Sequence, residues 1–506
     1  MPTAIPQFTN LPLDAIALDD LVRKESWREL DDRVTRMARM LADDLALAPD
    51  DHIAALMDNR LEGVELVLAA MLAGVWLTPI NHHLAHEEIA YVARDSGAKI
   101  IFADAGHARM LSGEDGREVI EVGDDLNERL AAASDEPIAL DGRPGGTMIY
   151  TSGTTGHPKG VKRKRPATLR DALETGAAAG RTISMDGSGP HLVTGPLHHA
   201  APLLFAVYDM LCGAPVVVMP RWNEEGALRL IEERAIRHTH LVPTMFVRLL
   251  RLPDETRAQF DSSSIATVLH GAAPIAPQVK RKMIDWWGPV LVEYWGATES
   301  GVATLVDSRQ WLDHPGSVGA ATSNFEVFAA DDDGNTVAPG VDGTLYIRSK
   351  RYGRDHFEYH RAAEKTSASY LDDAFSIGDI GRVEADGYVY LADRKSNTII
   401  SGGVNIYPTE IENVLQQNAQ VGDVAVFGIP DDEWGEQVKA VVEPIAGVVG
   451  SAELAEELRA FAREHLAAYK VPRSIDFETE LPRHPTGKLF TRLLRDRYWK
   501  DQDRKI

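Results

Sequence analysis

The sequence has one cysteine, Cys212, among 506 residues, so no disulfide can form within the chain. Zinc and iron–sulfur sites built on cysteines are excluded for the same reason, and scarce cysteine is typical of reducing compartments. The first residues also lack a basic region followed by an apolar run, which is the pattern of a secretion signal. We therefore expect a cytoplasmic protein.

Long apolar runs are scarce as well, and the 53 basic residues are outnumbered by 76 acidic ones. The most apolar stretch, residues 66–80, is shorter than the roughly 20 residues that a membrane-spanning helix needs, and it predicts a buried helix instead. The net charge of −23 repels the phosphate backbone of nucleic acids. We expect neither an integral membrane segment nor general nucleic-acid binding.

The remaining composition is that of a globular protein, and 506 residues allow two to four domains. Up to about residue 305, helix-periodic segments alternate with short β-rich runs, which predicts parallel sheets covered by helices. Between about 316 and 392, short strands separated by turns predict a small β-rich subdomain. We predict an α/β fold with a large N-terminal domain at 1–393 and a small α/β domain at 394–506, in which Pro408 begins a helix.

The segment at 150–160, Tyr-Thr-Ser-Gly-Thr-Thr-Gly-His-Pro-Lys-Gly, is rich in glycine and hydroxyl side chains. Glycines let a backbone approach a ligand closely, hydroxyls donate hydrogen bonds, and a lysine adds a cation, so the segment predicts a polyphosphate cradle. Its spacing is not that of a Walker A loop, and the chain has no GxGxxG motif. From composition alone, a flexible turn is the alternative. The residues predicted to bind phosphate are Thr151, Ser152, Gly153, Thr154, Thr155, Gly156 and Lys159.

This segment resembles the phosphate-loop signature of the adenylate-forming acyl-CoA synthetases. Other motifs of that family follow in its order: Gly-Ala-Ala-Pro at 271–274, Tyr-Trp-Gly-Ala-Thr-Glu at 294–299, Gly-Asp at 378–379, Asp-Arg at 393–394 leading to Gly-Gly-Val-Asn-Ile-Tyr-Pro-Thr-Glu-Ile-Glu at 402–412, and Pro-Thr-Gly-Lys at 485–488. The resemblance covers residues 150–488, and the first 140 residues carry no comparable motif. It implies that a carboxylic acid reacts with ATP to give an acyl-adenylate and pyrophosphate. The thiol of coenzyme A then displaces AMP.

The resemblance also implies roles for individual residues. Lys488 matches the catalytic lysine that stabilises the pentavalent phosphate and holds the acid. Glu299 and Thr154 are implied to hold Mg²⁺, and Thr298 to contact the α-phosphate. Taken alone, Lys488 could be a solvated surface lysine, and Thr298 with Glu299 could cap a helix.

The implied nucleotide contacts come from three further motifs. Asp379 matches the acid that accepts hydrogen bonds from both ribose hydroxyls. Tyr294 is expected to stack on adenine, although a buried core tyrosine is the alternative. The other residues implied to bind the nucleotide are Gly271, Ala272 and Ala273 beside adenine and Arg394 beside the ribose.

The second half of the reaction requires a passage for coenzyme A and a movement of the C-terminal domain. Gly402 and Gly403 would let the narrow pantetheine chain pass close to the backbone. The family hinge corresponds to Ser396, where aspartate or lysine is more common.

Four residues are implied to line the acyl pocket or to lie beside the reacting carboxylate. They are His199, with His198 as the alternative in this register, and Trp295 and Gly296. We do not expect a metal at the adjacent histidines, because no acidic residue lies near them in the sequence. A medium-to-long fatty acid or a bulky alicyclic acid is the expected substrate, and a homodimer would be unsurprising.

A cluster of basic residues at 162–165 follows the phosphate loop, and part of it is expected to attract phosphates of ATP or coenzyme A, unless it is only a solvated turn. Two alternative functions remain. One is an adenylating enzyme that passes the acyl group to a carrier-protein thiol, although no carrier domain follows Lys488. The other is a non-catalytic nucleotide-binding protein.

Overall fold

A computed structural model describes residues 3–111, 116–151, 158–394, 397–401, 404–431, 434–483 and 489–499, apart from the side chain of Arg394. Within these ranges, every helix falls short of the length and apolar character that crossing a bilayer requires.

The described strands and helices follow one another along the whole chain. The strands are β1 Ile16–Asp19, β2 Lys24–Ser26, β3 His52–Leu56, β4 Trp76–Pro79, β5 Ala98–Ala103, β6 Glu118–Glu121, β7 Gly146–Thr151, β8 Lys159–Arg163, β9 His191–Val193, β10 Val216–Val218, β11 His238–Leu241, β12 Thr267–His270, β13 Leu291–Ala297, β14 Gly301–Asp307, β15 Ser317–Ala321, β16 Phe325–Ala330, β17 Gly343–Ser349, β18 Phe357–Tyr359, β19 Tyr370–Leu371, β20 Ala374–Phe375, β21 Asp379–Val383, β22 Tyr388–Arg394, β23 Ile399–Ser401, β24 Val404–Ile406, β25 Val421–Asp431, β26 Gly435–Pro444 and β27 Ser474–Phe477. The helices are α1 Trp27–Arg39, α2 Leu61–Ala73, α3 His86–Asp95, α4 Ala105–Leu111, α5 Asp124–Ala132, α6 Leu169–Thr182, α7 Ala200–Leu211, α8 Glu224–Glu233, α9 Pro243–Arg251, α10 Asp254–Arg257, α11 Pro277–Trp287, α12 Ser308–Asp313, α13 Ala363–Ala368, α14 Pro408–Leu415, α15 Ala452–His465 and α16 Thr491–Trp499.

The first sheet has the strand order β18-β8-β7-β4-β3-β5-β6. Strands β3 to β7 pair in parallel, whereas β8 pairs antiparallel with both β7 and β18. Because β18 comes from about 200 residues later in the chain, this edge joins the phosphate-loop region to the β-rich region.

The second and largest sheet changes character along its width. From β1 through β10, β9, β11 and β12 to β13, the strands are parallel, as the alternation of helices and strands predicts. From β13 onward, the pairs β13–β14, β14–β15, β15–β22, β21–β22 and β17–β21 are antiparallel, which confirms the β-rich subdomain. The first and second sheets share one hydrophobic core, in which α2 packs against α7.

The C-terminal sheet has the order β24-β23-β26-β25, with β27 paired to β26. Pro408 is the first residue of α14, as predicted, because its fixed φ and missing N–H suit the first turn of a helix. Helices α14 and α15 cover the apolar side chains of the long β25–β26 pair. The α/β, two-domain prediction is therefore confirmed.

The prediction of one buried helix over residues 66–80 is wrong. Helix α2 ends at Ala73, and Gly74 takes a left-handed conformation with φ of 78°. The remaining residues form β4, which pairs in parallel with β3 and β7. Both halves are buried, so hydrophobicity alone could not distinguish a helix from a helix followed by a strand.

A buried ion pair attaches α11 to β13. Lys280 Nζ donates to Glu293 Oε2 at 2.6 Å and lies 4.7 Å from the centre of the Trp311 ring. Burial lowers the pKa of Lys280 and raises that of Glu293, so each charge depends on the other for its stability in this position.

We expect Lys280→Met to lower the free energy of unfolding by about 3–5 kcal/mol, because it leaves the Glu293 carboxylate buried without its partner. Chemical denaturation followed by tryptophan fluorescence would measure the loss. The double variant with Glu293→Gln should recover part of it, since the second charge is then gone. A loss no greater than that of an exposed pair, about 1 kcal/mol or less, would contradict this account.

Candidate active site

A cavity of about 980 Å³ lies against β7, β8, β13 and β14 and against helices α6 and α7. Residues from several of the sequence motifs meet there. Several of the residues predicted from the sequence line it: Thr151, Lys159, His198, His199, Ala272, Tyr294, Gly296, Thr298 and Glu299.

The phosphate loop joins two paired strands at one end of this cavity. Strand β7 ends at Thr151, which pairs with Lys159 at the start of β8, while Ser152, Gly153, Thr154, Thr155 and Gly156 lie outside the described residues. Burial, together with the nearby Lys365, lowers the pKa of Lys159. An anion bound here would replace the solvation that the ammonium has lost.

Glu299 lies beside that lysine and is held by a residue that the sequence motifs do not identify. The side chain is buried, and Tyr359 donates its hydroxyl to Glu299 Oε1 at 2.8 Å. Lys159 Nζ is 4.9 Å from the centre of the Tyr359 ring. Tyr359 is on β18, whose pairing with β8 brings together segments that are far apart in sequence, so no local pattern could reveal the contact.

The carboxylate of Glu299 suits a magnesium ion that is bound mainly by substrate phosphates. Mg²⁺ usually binds through one or two carboxylates and phosphate oxygens, and it keeps several waters. In the described ranges, no three His, Cys, Asp or Glu side chains are arranged to hold a metal by themselves. The second predicted ligand, Thr154, lies outside those ranges.

Tyr294 is on the cavity side of β13. Its hydroxyl lies 3.2 Å from His240 Nε2, and its ring meets Phe205 edge to face, with 5.4 Å between centroids. Phe205 belongs to α7, the helix that begins directly after His199. Tyr294 therefore forms part of a wall with α7, and the sequence-based expectation of adenine stacking is not what this packing favours.

Trp295 points to the opposite face of the strand, because successive side chains of a β-strand alternate. It is buried in the core of the β-rich subdomain, and its Nε1 donates to Asp379 Oδ2 at 2.7 Å. Trp295 is not among the described residues that line the cavity. This differs from the expectation that it lines the acyl pocket. Asp379, the predicted ribose ligand, is buried at the start of β21 and is not in that lining either.

Glycine is required at two positions, Gly271 and Gly296, where the backbone near β13 meets neighbouring backbone. A Cβ on Gly271 would lie 2.6 Å from the carbonyl oxygen of Tyr294, and one on Gly296 would lie 1.8 Å from that of Gly301. Ala272 has a left-handed φ of 66° and lines the cavity, whereas Gly271 and Ala273 do not.

Two buried histidines near the cavity, His198 and His240, carry no charge at neutral pH in this environment. Burial lowers the pKa of His198 to about 2 and that of His240 to about 3. The rings of His198 and His199 are 4.3 Å apart, and His82 packs edge-on to His198. These contacts make a neutral aromatic wall at the start of α7.

Most of the site residues implied for the chain beyond Asp393 lie outside the described residues. Lys488, Ser396, Gly402, Gly403 and the side chain of Arg394 are not among the described parts of the chain. The neighbouring Asp393 is described, and its Oδ2 accepts a hydrogen bond from the backbone N–H of Thr409 at 3.0 Å. This bond ties the end of β22 to the start of α14.

Comparison with known proteins agrees with this geometry. The AMP-binding enzyme family matches residues 7–354, and the AMP-binding enzyme C-terminal domain matches residues 410–488. A long-chain-fatty-acid–CoA ligase of Mycobacterium tuberculosis is 32% identical over 464 residues, which cover 90% of this chain and 89% of the relative. A feruloyl-CoA synthase of Amycolatopsis is 32% identical over 482 residues, covering 94% of each chain.

Solved structures are similar over nearly the whole length. The o-succinylbenzoate–CoA synthetase of Bacillus subtilis, in complex with its acyl-adenylate intermediate, superposes with a TM-score of 0.82 at 26% identity, covering 98% of each chain. An ATP-bound enzyme of Rhodopseudomonas palustris, MatB, gives a TM-score of 0.85 at 26% identity over 99% of each chain. The chain therefore belongs to the AMP-binding, adenylate-forming enzyme family and lies among its acyl-CoA ligases.

Proposed function

We propose that the protein is an ATP-dependent carboxylic acid:CoA ligase that acts on a medium-to-long fatty acid or a bulky alicyclic acid. The observation that carries this proposal is a continuous cavity of about 980 Å³, which joins the phosphate-loop strands and Glu299 to a wall of apolar and aromatic side chains along α7. An acid and a nucleotide can be bound there side by side.

In the first step, a carboxylate oxygen of the acid attacks the α-phosphorus of ATP, and pyrophosphate leaves. Lys159 offsets phosphate charge at the start of β8, and Thr298 donates its hydroxyl to the α-phosphate. Lys488 stabilises the charge that develops on the pentavalent phosphorus. When bound, Mg²⁺ would neutralise phosphate oxygens, and Glu299, oriented by Tyr359, would hold it.

In this proposal the phosphates and the acid share the cavity, and the ribose lies toward Asp379 on the other side of β13. Asp379 accepts hydrogen bonds from the ribose hydroxyls, and the indole N–H of Trp295 fixes the orientation of its carboxylate. Tyr294, Phe205 and His198 bound the acid, whose reactive end lies near His199 and Gly296. The neutral histidines add no charge that would repel an apolar chain or attract a second cation.

In the second step, the thiol sulfur of coenzyme A attacks the acyl carbon, the bond to the phosphate oxygen breaks, and AMP leaves as the thiol proton is lost to solvent. We propose that residues 394–506 form the mobile domain, that Ser396 is its hinge, and that Gly402 and Gly403 border the pantetheine passage. A cytoplasmic homodimer remains part of the proposal.

The decisive experiment is product analysis with ATP, Mg²⁺ and a panel of carboxylic acids, with and without coenzyme A. We expect AMP and acyl-CoA to appear together for one class of acid. Carboxylate-dependent pyrophosphate exchange without a thioester would instead favour transfer to a carrier-protein thiol. ATP binding without any turnover would favour the non-catalytic alternative.

Conservative variants on the two faces of β13 should have separate effects. Trp295→Phe removes the donor to Asp379, and we expect the KM for ATP to rise roughly tenfold, with the acid preference unchanged. Tyr294→Phe removes the contact with His240, and we expect kcat/KM for the acid to change about 3- to 10-fold, with the KM for ATP unchanged. Steady-state kinetics would contradict the assignment if the two effects were exchanged.

Lys488→Ala should lower the rate of adenylation by about 10²- to 10³-fold, because charge stabilisation is lost in that step alone. Formation of acyl-CoA from added acyl-adenylate should change little. Single-turnover measurements of each half-reaction test this, with Arg492→Ala, a nearby exposed position, as the control. Equal damage to both half-reactions would refute a lysine that acts in one position of the domain.

A further inference from the structure

Arg163, the last residue of β8, lines the cavity. Its Nη2 donates a hydrogen bond to the hydroxyl of Tyr208 on α7 at 3.3 Å. Among the described residues, no carboxylate lies within ion-pair distance of its guanidinium. An arginine always carries its charge, so the cavity contains a cation whose charge the described protein does not neutralise.

The other members of the basic cluster are arranged differently. Lys162 lies 3.0 Å from His52 Nε2 and over the Trp76 ring. Arg165 covers the same ring and is ion-paired with Asp50. These contacts engage Lys162 and Arg165 within the protein, whereas Arg163 is bonded to α7. That part of the cluster attracts phosphates stays a prediction.

Helix α7 and strand β8 each extend from the proposed reaction centre toward Arg163. Tyr208 follows His199 by nine residues, which is about 13 Å along a helix. Arg163 follows Lys159 by four residues, which is about 13 Å along a strand. Both elements therefore have one end at the phosphate or carboxylate and the other end at Arg163.

The surroundings of Arg163 belong to the acid side of the cavity. A Cβ on Gly301 would lie 2.5 Å from its Nη1, and Gly301 is itself packed against Gly296. Because of that close packing, the direct separation from the reacting carboxylate is less than either element's length, on the order of 10 Å. Apolar residues such as Ile183 and Val302 line the space nearby.

We infer that Arg163 and Tyr208 bind a second carboxylate at the far end of the acid, so that the preferred substrate is a dicarboxylic acid with its carboxylates on the order of 10 Å apart. A guanidinium donates two parallel hydrogen bonds to a carboxylate, and the tyrosine hydroxyl supplies a third donor. The inference rests on the proposed ligase function and narrows its substrate class.

The test compares decanedioate with decanoate and with the monomethyl ester of decanedioate, which has similar length but one charge. We expect the wild type to prefer decanedioate, measured as kcat/KM for AMP formation. Arg163→Met should lower kcat/KM for decanedioate by about 10- to 100-fold and leave the values for the other two acids within about twofold. Arg170→Met, at an exposed position on α6, is the charge-matched control and should behave as the wild type.

Calorimetric titration of the same acids into the protein with a non-hydrolysable ATP analogue gives a readout that does not need turnover. Binding of decanedioate that depends on Arg163 supports the inference. Turnover of monocarboxylates with no preference for decanedioate, or equal loss for all three acids in Arg163→Met, overturns it while the ligase function stands. If no acid is turned over and none binds in an Arg163-dependent way, the ligase function and this inference both fail.

Discussion

Strand β13 carries Glu293, Tyr294 and Trp295 in succession, and the pleat turns the middle side chain away from the other two. Glu293 is fixed to α11 by Lys280, and Trp295 is fixed to Asp379, so both contacts of one face are buried and polar. Neither can shift without leaving a buried polar group unpaired. The orientation of Tyr294 toward α7 follows from these two constraints, and the two sides of the site are thereby kept apart.

The cavity contains positively charged side chains, whereas the whole chain carries a net negative charge. A net charge of −23 opposes the approach of anions such as ATP, coenzyme A and a carboxylic acid. Within the cavity, burial keeps His198 and His240 neutral, so fixed positive charge comes from a few lysine and arginine side chains. A cation surrounded by neutral and apolar groups attracts an anion more strongly than one in a solvated, mixed-charge surface. Local desolvation therefore opposes the overall repulsion at the cavity.

Much of the fold was predictable from the sequence, because alternating helix and strand patterns and turn dipeptides are local signals. That Thr151, Lys159, Glu299 and the histidines before α7 line one cavity was also predictable, since each belongs to a contiguous motif. The contact between Tyr359 and Glu299 was not, because it depends on the pairing of β18 with β8 across about 200 residues. The opposite orientations of Tyr294 and Trp295 show a second limit: a motif fixes which residues are present but not which face of the strand each one occupies.

The hydrogen-bond register of β8 fixes which of its side chains face the cavity. Phe357 pairs with Arg163 and Tyr359 with Val161, while Met148 pairs with Lys162 on the other side. A slip of one residue would turn every β8 side chain to the opposite face, which would carry the arginine out of the cavity and disturb the lysine at the other end together with it. Insertions or deletions in this strand are therefore incompatible with retained chemistry. Substitutions at its positions, in contrast, change the cavity lining and leave the strand's length and pairing intact.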